Sequence, residues 1–262
     1  MKQTLVAFVC LGLMGCVTTE SSSGWSFRNG NSSNKNYNYN VVSKEEGHPV
    51  RSGETSFRFE VRSGDCGLHR DGYDDCKHDR ERREQRQVGY DHGENWYHWS
   101  IYLPKDFPDV FGSPILGQWH YEKRGEYGGG PVAIFFKLAL VRVPGTKYEY
   151  VEAYVVDPLF GGPRDKVIST LDDMRGKWTD VLIHTNWSRK DDGFFRVYAN
   201  GNTEPIFSYS GVTRLIDVYF KFGIYRGKSE NTHIAYYDDV RKGRSCEDVT
   251  EYFDCEEIIV GG

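Results

Sequence analysis

Between residues 53 and 243, apolar and polar side chains alternate in short runs broken by turn residues. Residues 56–62 show the rule: Phe57, Phe59 and Val61 fall on one side, and Arg58, Glu60 and Arg62 on the other. A period of two marks a strand with one buried face. Runs of this kind occupy 80–86, 96–103, 115–121, 132–142, 148–156, 178–187, 194–199, 206–210, 218–225 and 233–241. Asn200-Gly201 separates two of them and predicts a tight hairpin, because both residues accept positive φ. Only 167–175 is patterned for a short helix. About eleven strands at this spacing predict one all-β domain of two packed antiparallel sheets.

Composition agrees. Aromatics make up 15% of the 262 residues and glycine supplies 29 of them, a balance that favours strands and turns. A net charge of −5 excludes a general nucleic-acid binder, which needs a basic surface to displace counterions. At the N-terminus, Lys2 and the apolar stretch Leu5 to Leu13 predict a secretory signal too short to span a bilayer as a mature helix. Leu13-Met14-Gly15-Cys16 resembles the lipobox of bacterial lipoproteins, which implies removal of residues 1–15 and lipid on Cys16. The expectation is an exported bacterial lipoprotein anchored in the outer membrane. Ordinary signal cleavage, giving a periplasmic or secreted protein, is the alternative. Residues 16–48 are rich in Ser, Asn, Thr and Gly and read as a flexible tether, leaving 49–262 as the domain. Cys66, Cys76, Cys246 and Cys255 remain in an oxidising compartment. Two short local disulfides, Cys66–Cys76 and Cys246–Cys255, are expected, since neither pair has the CxxC spacing of a zinc site.

Three strands carry a polar face. In 218–225, Val218, Phe220, Phe222 and Ile224 alternate with Tyr219, Lys221, Gly223 and Tyr225. Gln118 and His120 share one side of 115–121, opposite Trp119, and Arg80, Arg82, Glu84 and Arg86 share one side of 80–86. Taken singly these are ordinary solvated strand faces. If they line one concave sheet, they form a cationic groove on an acidic protein, suited to a polyanionic chain.

Arg82-Arg83-Glu84-Gln85-Arg86, Gln118-Trp119-His120 and Tyr219-Phe220-Lys221-Phe222-Gly223-Ile224-Tyr225 resemble, in order, the RxExR, QxH and YFKxGxY segments of the jelly-roll alginate lyases. The Lys221 to Tyr225 spacing is also similar to heparinase I and the fungal-type glucuronan lyases. Residues 178–200 with Tyr236-Tyr237-Asp238-Asp239-Val240 resemble the heparinase-I-like polysaccharide lyase domain. The likeness runs from about Gly53 to Gly243. Two departures are Trp119, where alginate lyases usually carry Ile or Val, and Arg226-Gly227, where they usually continue to Gln. The resemblance implies a concanavalin-like β-sandwich jelly roll with a concave groove, and cleavage of a uronate polysaccharide by β-elimination.

In that reaction a base removes the C5 proton, alpha to a carboxylate, and the 4-linked oxygen leaves. The difficulty is charge. A carboxylate already negative must accept more, so donors placed to neutralise it should lower the barrier most. The resemblance assigns this to Gln118 and Arg82, with His120 as a further donor or the base. It makes Tyr225 the proton donor to the leaving oxygen. Tyr225 as base as well requires cationic neighbours, since its ordinary pKa is about 10. Which of His120 and Tyr225 takes the proton depends on the sugar's stereochemistry. Lys221, Arg86, Glu84, Lys137 and Arg226 are expected to bind substrate, Glu84 by orienting Arg82 and Arg86. The expected partner is an anionic polysaccharide bound by a monomer, with glucuronan or alginate ahead of heparin-like polymers. No cofactor is expected; a structural calcium on the turn Asp71-Gly72-Tyr73-Asp74-Asp75 is weighed against a plain acidic turn. The rival functions are a non-catalytic carbohydrate-binding module, a glycoside hydrolase and a structural lipoprotein. A retaining hydrolase needs two close carboxylates, and no ExDxxE strand is present.

Overall fold

The structure, a computed structural model, describes residues 19–20, 25–68, 72–109, 114–121, 135–142, 149–156, 164–214 and 216–260, with the backbone alone from 121 to 167. In chain order the strands are β1 (Thr19–Glu20), β2 (Ser26–Asn29), β3 (Tyr39–Ser43), β4 (Thr55–Val61) and β5 (Arg80–Gln87). Next come β6 (Gly93–Tyr102), β7 (Ile115–Tyr121), β8 (Phe135–Arg142), β9 (Glu149–Val156) and β10 (Arg164–Thr170). The last are β11 (Trp178–Trp187), β12 (Phe194–Ala199), β13 (Phe207–Ser210), β14 (Val218–Gly227) and β15 (His233–Gly243). Two short helices, α1 (Leu171–Met174) and α2 (Cys255–Val260), complete the described elements.

The strands form two antiparallel sheets, ordered β1-β2-β5-β14-β7-β8-β9-β10 and β13-β12-β11-β6-β15-β4-β3. This is the expected jelly-roll sandwich. Its core is aromatic: Phe27, Trp119, Phe220 and Phe222 of the first sheet meet Phe59, Tyr97, Trp99 and Tyr237 of the second, all buried. Alternation places these side chains inward and leaves Tyr219, Lys221 and Tyr225 on the outer face of β14. The Asn200-Gly201 turn forms with both residues at positive φ (52° and 78°), closed by the Asn202 N–H donating to the Ala199 carbonyl. Both expected disulfides are present, Cys66–Cys76 and Cys246–Cys255.

Three features differ from the sequence-based expectation. Residues 25–48 are not tether. β2 pairs with β5 and β3 with β4, Trp25 and Phe27 enter the core, and Asn38 is buried, donating to Asp65 and to the Glu60 carbonyl. Aromatic anchors inside a polar stretch carry too little periodic signal to be seen. Residues 164–170 extend as a strand, and the helix is confined to α1, capped by the Thr170 hydroxyl accepting from the Asp173 N–H. The chain after Gly243 folds over the outer face of the second sheet, where Val249, Phe253 and Ile258 pack on Trp96, Leu182 and Tyr198. The signal and Cys16 lie outside the described residues.

Two buried histidines give the fold an acid limit. Burial lowers His98 to about 4, and burial together with Arg226 lowers His233 to about 3. The unfolded chain takes up these protons near pH 6.5 and the native one does not, so stability is intact above that value and falls below it. Each histidine should cost about 3 kcal/mol by pH 4. Urea midpoints measured from pH 7 to 4 check this; a flat profile would refute it.

Candidate active site

Pairing register, not sequence proximity, assembles the polar face. β14 lies between β5 and β7, with Tyr219 opposite His120 and Lys221 opposite both Gln118 and Arg86. Gly223 faces Glu84 and Tyr225 faces Arg82. Directly paired residues of antiparallel strands project to the same side. Arg82, Glu84, Arg86, Gln118, His120, Tyr219, Lys221 and Tyr225 therefore share one face, with Phe220, Phe222 and Trp119 on the other.

Consecutive bulges bend this face. The step from Phe222 to Tyr225 on β14 matches only Gly117 to Ile115 on β7, which in turn matches Leu138 to Ala139 on β8. Bulges increase local twist and re-aim side chains. Between the levels of His120 and Tyr225 the chain advances six residues on β14, five on β7 and four on β8. The Tyr237 hydroxyl reaches across the sandwich to the carbonyls of Leu116 (2.8 Å) and Gly223 (2.7 Å), so the disturbed backbone is anchored from the second sheet. Gly223 is required here. Its φ is +127°, and a Cβ would lie 2.4 Å from the Arg83 carbonyl oxygen. Gly223→Ala should destabilise by roughly 2–4 kcal/mol, read as a lowered Tm.

At the centre lies a buried ion cluster. Glu84 accepts from Lys221 Nζ at 2.5 Å and from Gln118 Nε2 at 2.6 Å, and Arg82 Nη1 lies 3.5 Å away. Burial alone would raise the Glu84 carboxyl, yet Lys221, Arg82 and Gln118 together hold it below the ordinary range. Arg82 also grips Asp75 through Nε and Nη2, both at 2.5 Å. Two cations thus balance two carboxylates. The Arg82 guanidinium lies 4.0 Å from the Tyr225 ring centroid. Burial lifts the Tyr225 phenol above its ordinary value; Arg82 opposes the lift and Asp75 adds to it. Tyr225 is held as a neutral phenol, not the phenolate that a base would require. At the other end, the Tyr219 hydroxyl and His120 Nδ1 are 3.3 Å apart, and the Arg86 guanidinium lies 3.9 Å from the Tyr219 ring centroid.

Several expected substrate contacts are placed otherwise. Arg226 points to the opposite face, buried against Glu81 at 2.8 Å and beside His233. Lys221 and Glu84 are buried and satisfy each other, so they organise the floor of the groove. Glu84 orients Arg82 and Gln118, whereas Arg86 stacks on Tyr219. Lys137 pairs in register with Gln118, but its side chain lies outside the described residues. In the proposed calcium turn, Asp75 is taken by Arg82 and by the Gly67 N–H, while Asp74 caps the turn through the Cys76 N–H; Asp71 lies outside the described residues. Among the described residues, no group of three or more His, Cys, Asp or Glu side chains is arranged to hold a metal ion. Tyr237 was not singled out by the sequence, Asp75 was weighed only for a calcium turn, and Tyr219 stood on the polar face without an assigned role. The sequence signal for Tyr219 was its place at the head of the YFKxGxY segment; Asp75 and Tyr237 carried none for this face.

The comparisons agree with this fold. A family model described as polysaccharide lyase matches residues 18–241. Among solved structures, an endo-β-1,4-glucuronan lyase from the fungus Trichoderma reesei is similar, with a TM-score of 0.61 at 16% identity over 88% of this chain and 96% of that one. An alginate lyase in complex with an alginate trisaccharide has a TM-score of 0.51 at 14% identity, over 79% and 94%. The catalytic domain of a glycoside hydrolase family 131 protein from Coprinopsis cinerea has a TM-score of 0.53 at 10% identity, over 86% and 85%. At such identities the likeness is one of fold. No curated protein matches in sequence.

Proposed function

The chain belongs to the polysaccharide lyase family, and on that premise we propose that it cleaves a β-1,4-linked uronate polymer, glucuronan first and mannuronate-type alginate second. The observation that carries this reading is a neutral phenol, an amide and an imidazole on one face of two adjacent, bulged strands. Tyr225 protonates the leaving O4. Gln118, its amide oriented by Glu84, donates its second N–H to the substrate carboxylate as charge builds there. His120 removes the C5 proton. Two groups rising from one sheet face approach a sugar lying on it from one side, which favours elimination of H5 and O4 from the same side of the ring. Glucuronate and mannuronate have that relation; guluronate and iduronate do not. Arg86 and Tyr219 flank the neighbouring sugar. Export by the N-terminal signal, with lipid on Cys16, brings a monomeric enzyme to its polymer outside the cytoplasm.

Hydrolysis, as named for the family 131 relative, requires two carboxyl groups across the scissile bond. Among the described side chains, Glu84 and Asp75 are the carboxylates nearest the face, and both are buried and ion-paired. The test is a panel of glucuronan, mannuronate-rich and guluronate-rich alginates, heparan-type polymer, hyaluronan and pectate, read by the ultraviolet absorbance of the unsaturated uronate. Fastest cleavage of glucuronan or mannuronate-rich alginate is expected. Preference for guluronate would overturn the same-side arrangement, and reducing ends without absorbance would overturn elimination.

A further inference from the structure

Asp75 lies outside the three motif strands, in the short 3-10 turn Asp75–His78 at the end of the Cys66–Cys76 loop, and it is fully buried. Its Oδ2 accepts from Arg82 Nε at 2.5 Å and from the Gly67 N–H at 3.0 Å, and its Oδ1 accepts from Arg82 Nη2 at 2.5 Å. A fork of two N–H groups on two carboxylate oxygens fixes a guanidinium in plane as well as in place. The same loop holds the Arg82 backbone, whose N–H donates to the Asp65 carbonyl at 2.8 Å. Asp65 is itself pinned by Ser33, Tyr37 and Asn38. A Cβ on Gly67 would fall 2.1 Å from the Asn31 carbonyl oxygen and 2.6 Å from Asp75 Oδ2, so the loop closes on Asp75 only with glycine there. Arg82, held in this way, lies 4.0 Å from the Tyr225 ring centroid.

We propose that Asp75 is a positioning residue for the elimination, acting through Arg82 to seat the Tyr225 ring and to balance the guanidinium charge that lies over it. The inference rests on Tyr225 being the proton donor. Orientation and charge both matter. An unbalanced guanidinium against the ring would draw the phenol towards phenolate and remove the proton that the leaving oxygen needs. Among the described residues, the ionisable groups around Tyr225 are Arg82 and Arg80 from β5 and Asp75 and Tyr73 from the disulfide loop. Asp75 lifts the phenol and both arginines lower it, so removing the aspartate charge moves its titration to lower pH.

The experiment compares full-length wild type, Asp75→Asn, Asp75→Glu, Arg82→Gln and the Asp75→Asn/Arg82→Gln pair. The Tyr225 titration is followed by the ¹³Cζ signal of labelled tyrosine, assigned by its absence in Tyr225→Phe. Kinetics use β-1,4-glucuronan, or mannuronate-rich alginate if that is the polymer cleaved. For Asp75→Asn, kcat should fall by roughly 10- to 100-fold with KM within about threefold, and the Tyr225 titration and basic limb of kcat should both move to lower pH. Asp75→Glu keeps the charge and should keep the titration near wild type even where kcat falls. In the Arg82→Gln background, Asp75→Asn should have little further effect on kcat. An unmoved Tyr225 titration in Asp75→Asn, or undiminished additivity with Arg82→Gln, would overturn the proposal. If Asp75→Asn does not fold, a Tyr225 titration in Arg82→Gln no higher than wild type would overturn it equally. Full activity in Tyr225→Phe would instead remove the donor assignment on which the inference stands.

Discussion

Tyr225→Phe should abolish formation of the unsaturated product, lowering kcat by roughly 10³-fold, while thermal unfolding stays within a degree or two of wild type. The size follows from the role: protonation of an alkoxide leaving group by a placed acid is worth about 10²–10⁴ in rate. The selectivity follows from the packing. Phenylalanine keeps the ring on which the Arg82 guanidinium lies at 4.0 Å, and the Tyr225 side chain is only partly buried, so deleting its hydroxyl opens no cavity. Product absorbance over time, with melting curves on the same preparation, reads both halves. Substantial product from a folded Tyr225→Phe enzyme would transfer the proton-donor role elsewhere on the face, with Tyr219, 3.3 Å from His120, first in line.

The largest expected loss of stability comes from Glu84→Gln. Glu84 is buried between Lys221 and Arg82 and accepts from Gln118. Its removal leaves the Lys221 ammonium buried without a counter-charge, a situation that typically costs about 3–5 kcal/mol. Glu84 is held ionised below the ordinary carboxyl range, so the stability it contributes is present above that range and lost as pH falls through its lowered pKa. Chemical denaturation should show a correspondingly lower midpoint. Glu84→Gln/Lys221→Met, which deletes both charges, should recover most of the stability but little activity, because the Gln118 amide loses its orienting acceptor. A double variant as active as wild type would show that the cluster is only packing.

Much of the fold was legible beforehand because period-two alternation is local. The runs 115–121, 178–187 and 194–199 coincide with β7, β11 and β12, and both disulfides close loops short enough to be read from spacing. β5 was legible as a strand but not by face. Both sides are charged or polar, and Glu81, Arg83, Gln85 and Gln87 are buried on its inward side. Arg83 shows the consequence, drawn down to about 10 by burial, with one hydrogen bond to the Ser33 carbonyl. Nothing in the alternation of Arg80 to Gln87 distinguishes the face over the core from the face over the groove.

By itself the sequence determined the all-β architecture, the two cross-links and the set of polar residues on the outer faces of β7 and β14, because each depends on neighbours a few positions apart. The tertiary structure decided which of those residues remain available to a substrate. Lys221 is bound to Glu84, Arg226 to Glu81 and Arg82 to Asp75, partners that lie 137, 145 and 7 positions away in the chain. It also decided where β14 slips register against β7 between His120 and Tyr225, since a bulge exists only relative to the strand beside it and is anchored here by Tyr237 from the facing sheet. Charges are neutralised and side chains aimed through contacts between distant segments, and such contacts leave no period in the chain.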